Sequence, residues 1–263
     1  MSNRFSFIFS VDDVAEKLTD RYKAEVKKTI YTFNPTKDNA KAIRAAASWL
    51  ADDSRKPGLL LYGPNPGTGK TTLARTLHDV MARPELLFDD GPLNQRYQAY
   101  REKFWDYVHD DPDAISGRER EQFEREHPDE AAELRRLMDE YENLCRQLSS
   151  ARNAILKNGL FLSAQEIADA TERDGHQHLE SIRDEPLLFI DDMGVEPTEV
   201  NNFGTRILPL VELILYRYEH RLPVVVTSNL SDVGISEKYG PRIMDRLNEM
   251  CDKIAFKGVS FRM

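Results

Sequence analysis

Leu59-Leu60-Leu61-Tyr62-Gly63-Pro64-Asn65-Pro66-Gly67-Thr68-Gly69-Lys70-Thr71-Thr72 is the stretch that decides the fold. An apolar run enters a glycine-rich turn, and a helical pattern follows through Leu73, Ala74 and Leu77, so the order is strand, loop, helix start. Glycines let successive backbone N–H groups curl around a phosphate, and the helix N-terminus adds free amides and the positive end of its dipole. Gly63, Pro66, Gly67, Thr68, Gly69, Lys70, Thr71 and Thr72 are therefore the candidate nucleotide contacts. Lys70 would reach the β- and γ-phosphates, and Thr71 would offer its hydroxyl to Mg²⁺, a hard cation that prefers oxygen. Five residues separate Gly63 from Gly69 where the usual motif has four, so the loop is one residue longer at its entry. A turn that binds no ligand is the plainer alternative.

Outward from this loop, further short apolar runs read as strands: Gly58 to Tyr62, Gly159 to Leu162, Leu187 to Ile190, Val224 to Thr227 and Lys253 to Phe256. Helical patterns lie between them. Parallel strands need crossover connections, so the alternation implies an α/β fold with a parallel sheet between helices and a ligand site beyond the strand C-termini.

The run Leu187-Leu188-Phe189-Ile190 ends in Asp191-Asp192. Asp191 would hold Mg²⁺ with Thr71, and Asp192 would orient or deprotonate a water for in-line attack on the γ-phosphate. A loop start or helix cap is the bland account of such a pair. The next strand runs into Thr227-Ser228-Asn229, where the Asn229 amide could bond both a water and the γ-phosphate, or simply begin a turn. Arg242 and Arg246 sit four apart on one helical face and could stabilise phosphoryl charge from a neighbouring subunit, or form a solvated salt-bridge face with Asp245 and Glu249. His176-Gln177-His178 has no third ligand in evident spacing and reads as a polar loop. Met193-Gly194 reads as a turn.

About seventy residues separate the helix after the first strand from Gly159, far more than α/β connections need. Leu134, Leu137, Tyr141, Leu144, Leu148, Ala151 and Ile155 recur at spacings of three and four, with His127-Pro128-Asp129 as a helix start. Leu93, Tyr97, Tyr100, Phe104 and Tyr107 repeat the pattern. Joined through the turn-rich Asp110 to Gly117, these predict an antiparallel helical hairpin inserted at 89–157, either a self-packed arm or one that touches a partner.

The 263 residues carry a net charge of −9, which excludes a protein whose main task is coating nucleic acid. Residues 1–88 sum to +4, 89–157 to −6 and 158–263 to −7. Lys23, Lys27 and Lys28 in the basic third could face phosphates or an acidic partner, or form an ordinary wet helix face with Asp20 and Glu25. No apolar stretch approaches the ~18 residues that span a bilayer. The apolar Phe5 to Val11 lacks the cleavage pattern of a secretion signal. Two distant cysteines, Cys145 and Cys251, give neither a disulfide framework nor a zinc site, and a cytoplasmic location is expected.

Taken in order, these pieces resemble the AAA+ ATPases, and within them the bacterial replicative-helicase loaders of the DnaC/DnaI type and the IstB-type transposition ATPases. The resemblance covers roughly residues 34–88 and 156–263. It rests on Leu-Leu-Phe-Ile-Asp-Asp-Met-Gly, Arg217-Tyr218 before Thr-Ser-Asn-Leu, Tyr239-Gly240-x-Arg242-x-x-x-Arg246-Leu247, and the terminal Gly258-Val259-Ser260-Phe261-Arg262. It implies that Asn229 is a sensor 1 residue, that Arg242 and Arg246 belong to an arginine-finger segment, and that Arg262 is the sensor 2 arginine. It also implies a P-loop NTPase fold with a five-stranded parallel sheet between helices and no C-terminal lid domain, ATP and Mg²⁺ as ligands, and an active site formed between subunits of a homo-oligomer. Single-stranded DNA and a replicative helicase or a transposase are the implied partners, with no membrane. The expected organisation is an N-terminal helical extension at 1–33 and an ATPase domain at 34–263, interrupted at 89–157. That insertion has no counterpart in the family pattern, and with about thirty residues before Phe33-Asn34-Pro35 the N-terminal helicase-binding domain of known loaders is expected to be absent. Three rivals follow: a transposition helper, a nucleotide-gated scaffold with little turnover, suggested by the lengthened loop, and a small-molecule kinase sharing the phosphate loop.

Overall fold

The computed structural model describes residues 10–28, 36–52, 55–82, 99, 117–155 and 159–257. The chain divides into two compact units, Met1–Arg83 with Ala151–Met263, and Pro84–Ser150.

The first unit opens with α1 (Val11–Lys27) and α2 (Lys37–Ala51). Ser10 and Thr36 each accept from the backbone N–H three residues on, while Asp13 and Asn39 reach back to the cap, so both helix starts are closed by reciprocal bonds. Val14, Leu18, Tyr22 and Val26 recur every fourth residue and form the buried stripe of α1, which packs on α2 and on α3 (Lys70–Ala82). Lys23 pairs with Asp20 at 3.4 Å and Lys28 with Glu25, the wet-face reading of those lysines.

Five strands form one parallel sheet: β1 (Gly58–Tyr62), β2 (Leu160–Ser163), β3 (Leu188–Met193), β6 (Val224–Ser228) and β7 (Cys251–Ala255). Their order is β2-β3-β6-β1-β7, with β1 flanked by β6 and β7. The expected α/β fold, a five-stranded parallel sheet between helices, is what the structure has. Alternate residues go to opposite faces. Leu60, Leu188, Ile190, Val224 and Val226 join a core with α6 (Ala164–Asp174), α8 (Pro209–Glu219) and α10 (Pro241–Met250). On the other face, His78 of α3 meets Phe161 and Phe189 edge-on at 5.6 and 5.1 Å.

Two further helices, α7 (His176–Ile182) and α9 (Asp232–Tyr239), complete this unit with an antiparallel hairpin that the alternation did not announce, β4 (Val200–Asn202) and β5 (Thr205–Ile207). Val200 and Ile207 are buried beneath it, while Phe203 at its tip is fully exposed and left-handed at φ 48°.

Arg217 of α8 is wholly buried and has a structural task. Its guanidinium donates to the carbonyls of Arg183 at 3.0 Å, Glu185 at 2.9 Å and Pro223, tying together the segments that enter β3 and β6. Burial pushes its pKa down to about 10, well above neutral, so the side chain stays charged.

In the second unit, α4 (Gly117–Glu126) ends one residue before α5 (Pro128–Ile155), whose last residues, Ala151–Ile155, fall in the first unit. The start of α5 at Pro128 matches the sequence reading, whereas α4 was not foreseen: its composition is almost wholly polar and gives little periodicity. Leu134 and Leu137 are buried at the predicted spacing, and Ala131, outside the predicted series, is buried three residues earlier. The side chains of Tyr141, Leu144, Leu148, Ala151 and Ile155, the predicted helix through Leu93 to Tyr107, and the Gly258 to Arg262 segment lie outside the described residues.

Candidate functional site

β1 delivers its loop at the C-terminal edge of the sheet. The Gly63 N–H donates to the Ser228 carbonyl at 3.2 Å, and a Cβ on Gly63 would stand 2.1 Å from the Phe256 carbonyl oxygen, so the chain passes too close to the end of β7 for a side chain. Gly67 and Gly69 take φ of 73° and 98°, which closes the turn into α3. Lys70, 4% exposed, curls back and donates to the carbonyls of Gly63 at 3.0 Å and Asn65 at 2.9 Å and to the Thr68 hydroxyl at 3.3 Å. Its pKa is lowered by burial, partly offset by the charge of Asp192.

The acidic pair leaves β3 through a β-bulge. Ile190 pairs with Val226 and Met193 with Ser228, so Asp191 and Asp192 together face the single residue Thr227. Regular alternation would send the two carboxylates to opposite faces of the sheet. Instead Asp192 turns left-handed at φ 54°, and its N–H bonds the Thr227 hydroxyl at 2.8 Å rather than a ladder carbonyl. Asp191, 6% exposed, accepts from Thr71 at 2.9 Å and from Thr227 at 2.6 Å through the same oxygen, Oδ1. Residues 120 positions apart thus meet through one hydrogen bond, and Thr227 joins them. Thr227 stood in plain view within the Thr-Ser-Asn triplet, but its role depends on the bulge in the neighbouring strand.

Behind the pair, Met193, read from the sequence as part of a turn, ends β3 instead, and the turn that begins at Gly194 is held by α9. Lys238 donates to the carbonyls of Gly194 at 2.7 Å and Glu196 at 2.6 Å, and the Tyr239 hydroxyl donates to the buried Glu196 carboxylate, which also accepts from the Gly194 N–H at 2.9 Å. Burial and that carboxylate push the Tyr239 pKa far up, so its phenol stays a donor. Ser228 bonds the Met193 carbonyl at 2.6 Å and places Asn229 immediately beyond the end of β6, half-buried.

The structure groups Lys70, Thr71, Asp191 and Asp192 and leaves the two arginines on α10. Arg246 lies over the Tyr218 ring at 4.5 Å and pairs with Asp245 at 3.3 Å and Glu249 at 3.1 Å. Arg242 is exposed in the first turn. Arg262 lies outside the described residues. His176 pairs with Glu212 at 3.2 Å.

Among the described residues no group of three or more His, Cys, Asp or Glu side chains is arranged to hold a metal. The hydroxyl and carboxylate at Thr71 and Asp191 fit a hard divalent cation whose remaining ligands would be phosphates and water, the way Mg²⁺ is usually bound. Chemically, the site offers a cation and loop amides for phosphate, a two-oxygen seat for such an ion, and a second carboxylate for water.

No family model and no curated protein matches the chain. Among solved structures it is similar to the DnaC helicase loader at 15% identity, with a TM-score of 0.46 over 86% of this chain and 94% of that one. It is also similar to DnaI at 17% identity, with a TM-score of 0.44 over 86% of this chain and 89% of that one. By its own strands, loop and helices, the chain has a P-loop type of α/β fold.

Proposed function

We propose that the chain binds and hydrolyses ATP with Mg²⁺, as an AAA+ protein that acts on DNA in the manner of a replicative-helicase loader. The observation that carries the hydrolytic part is the meeting of Thr71 and Asp191 through one hydrogen bond, with Lys70 in the adjacent loop. Support for the loader part comes from the sequence motifs that resemble that family.

In this reading the loop amides and Lys70 receive the β- and γ-phosphates, and Lys70 exchanges its carbonyl partners for phosphate oxygens. Thr71 and Asp191 would hold Mg²⁺, which supplies neutralisation of charge on the transferred phosphoryl group. Asp192 accepts a hydrogen bond from the attacking water and takes its proton as the oxygen closes on phosphorus, while ADP departs with the bridging oxygen. Thr227 holds Asp191 and the Asp192 backbone in register. Asn229, one residue past β6, contacts the γ-phosphate or the water.

An arginine from a neighbouring subunit completes the charge. Arg242 is exposed and can reach outward at little cost, whereas Arg246 must first leave Tyr218, Asp245 and Glu249. The same self-satisfaction of Lys70 favours a second reading, a nucleotide-gated scaffold that binds ATP and turns it over slowly. Titration with a fluorescent ATP analogue, followed by phosphate release with and without single-stranded DNA, separates the two. Turnover that requires both Lys70 and Asp192 supports the ATPase. Tight binding without turnover under all conditions supports the scaffold. Co-purification with a replicative helicase rather than a transposase tests the loader part.

A further inference from the structure

Among the described residues three helix starts are closed by reciprocal capping bonds, and the residue that reaches back differs among them. At α1 it is Asp13 and at α6 it is Glu166, both carboxylates, but at α2 it is the amide Asn39. A cap needs only an acceptor from this residue. Asn39 Oδ1 supplies that, accepting from the Thr36 N–H at 3.1 Å and the Thr36 hydroxyl at 2.6 Å. The amide nitrogen is then free for other partners, and both of its bonds lead toward the phosphate loop: Nδ2 donates to the Thr68 carbonyl at 3.2 Å and to the Tyr22 hydroxyl at 3.2 Å. Asn39 is 2% exposed and Tyr22 1% exposed, so water does not compete for either.

Tyr22 in turn fills the space beside Gly69. A Cβ on Gly69 would stand 1.9 Å from the Tyr22 hydroxyl oxygen, at a φ of 98°. Burial holds the phenol's pKa up at about 12, which keeps its proton in place at neutral pH. Within a trans peptide unit the carbonyl and the following N–H point in opposite directions. Fixing the Thr68 carbonyl on Asn39 therefore directs the Gly69 N–H away from α2.

We infer that Asn39 and Tyr22 are positioning residues for nucleotide binding, which orient the Thr68–Gly69 peptide so that the loop is shaped before a phosphate arrives. This rests on the nucleotide reading above, and it makes α1 and α2 working parts of the site.

Asn39→Asp separates the two duties of residue 39, because a carboxylate can still close the helix start but cannot donate to Thr68. Tyr22→Phe removes only the hydroxyl and adds no charge. The first readout is amide hydrogen exchange of the peptide spanning residues 63–70 in nucleotide-free protein, where no phosphate charge enters. The second is the affinity for mant-ADP with Mg²⁺, with the melting temperature as the control for folding. Asn39→Asp should speed loop exchange and weaken mant-ADP about tenfold, a loss of bonding on the scale of one hydrogen bond. Tyr22→Phe should do the same about threefold, with melting displaced by only a few degrees. If Asn39→Asp does not fold, Tyr22→Phe carries the test alone. Loop exchange unchanged in folded variants overturns the inference, as does unchanged mant-ADP affinity. A wild type that binds no mant-ADP, while its loop exchange still responds to Asn39→Asp, overturns the nucleotide reading and leaves the tie between helix and loop standing.

Discussion

Lys70 is a buried cation whose hydrogen bonds are made within its own loop, and the charge of Asp192 acts on it. Truncating Lys70 to Ala removes the cation that phosphate requires, so ATP-analogue binding should fall by at least about a hundredfold, measured by fluorescence titration. Asp192→Asn keeps the shape and loses the base: analogue binding should persist while phosphate release drops about 10²-fold or more. Tyr22 makes a different prediction. Its folded pKa of about 12 lies above its ordinary 10.0, so the unfolded chain gives up the proton first as pH rises. The stabilisation is complete below pH 10 and is lost on the way to pH 12, and Tyr22→Phe should flatten that alkaline decline in chemical-denaturation curves. Arg217→Met would leave three buried carbonyls without their donor and should cost about 3 kcal/mol in the same assay. Lys70, Thr71 and Asp191 were legible in the sequence because each belongs to a short motif whose neighbours fix its place. Thr227, Asn39 and Tyr22 were not, since their bonds join residues 36, 29 and 17 positions apart, and nothing local marks such a meeting. The Thr36-x-x-Asn39 cap could be read, but not the second use of its amide.

At the scale of elements, the apolar runs that signalled strands fall within three residues of the ends of β1, β2, β3, β6 and β7, and the inner strands β1, β3 and β6, buried on both faces, are nearly continuous in apolar residues. The bulge after Ile190 was not legible: alternation says where a strand is, not where two of its residues will oppose one. The β4–β5 hairpin escaped for a related reason, as two three-residue strands are too short to show a period. Its two-residue turn is Phe203-Gly204, both left-handed at φ 48° and 89°, where such turns favour Asn-Gly. A fully exposed Phe gains nothing from packing there. Phe203→Asn should therefore stabilise the protein by about 1 kcal/mol, read as a higher denaturation midpoint at unchanged slope. If Phe203 serves a contact with a partner, the same change will weaken that contact while the fold gains.

Across the whole molecule, the sequence division at 89–157 and the compact unit Pro84–Ser150 overlap for most of their lengths. No described helix is long and apolar enough to cross a membrane. The unit that holds the loop also holds α1, whose Tyr22 touches it, so the N-terminal helices belong with the site in any account of its chemistry. If subunits share an active site, hydrolysis is a property of the assembly and its specific rate must rise with protein concentration. Arg242→Ala should abolish that rise, because Arg242 is the exposed member of the arginine pair. The most direct measurement is steady-state phosphate release from Mg-ATP across a range of protein concentrations, with and without single-stranded DNA, for wild type, Lys70→Ala and Asp192→Asn. An active site assembled between subunits predicts a wild-type rate that climbs faster than linearly with concentration and is lost in both variants. A wild-type rate no greater than that of Lys70→Ala, at every concentration and with DNA present, would contradict it.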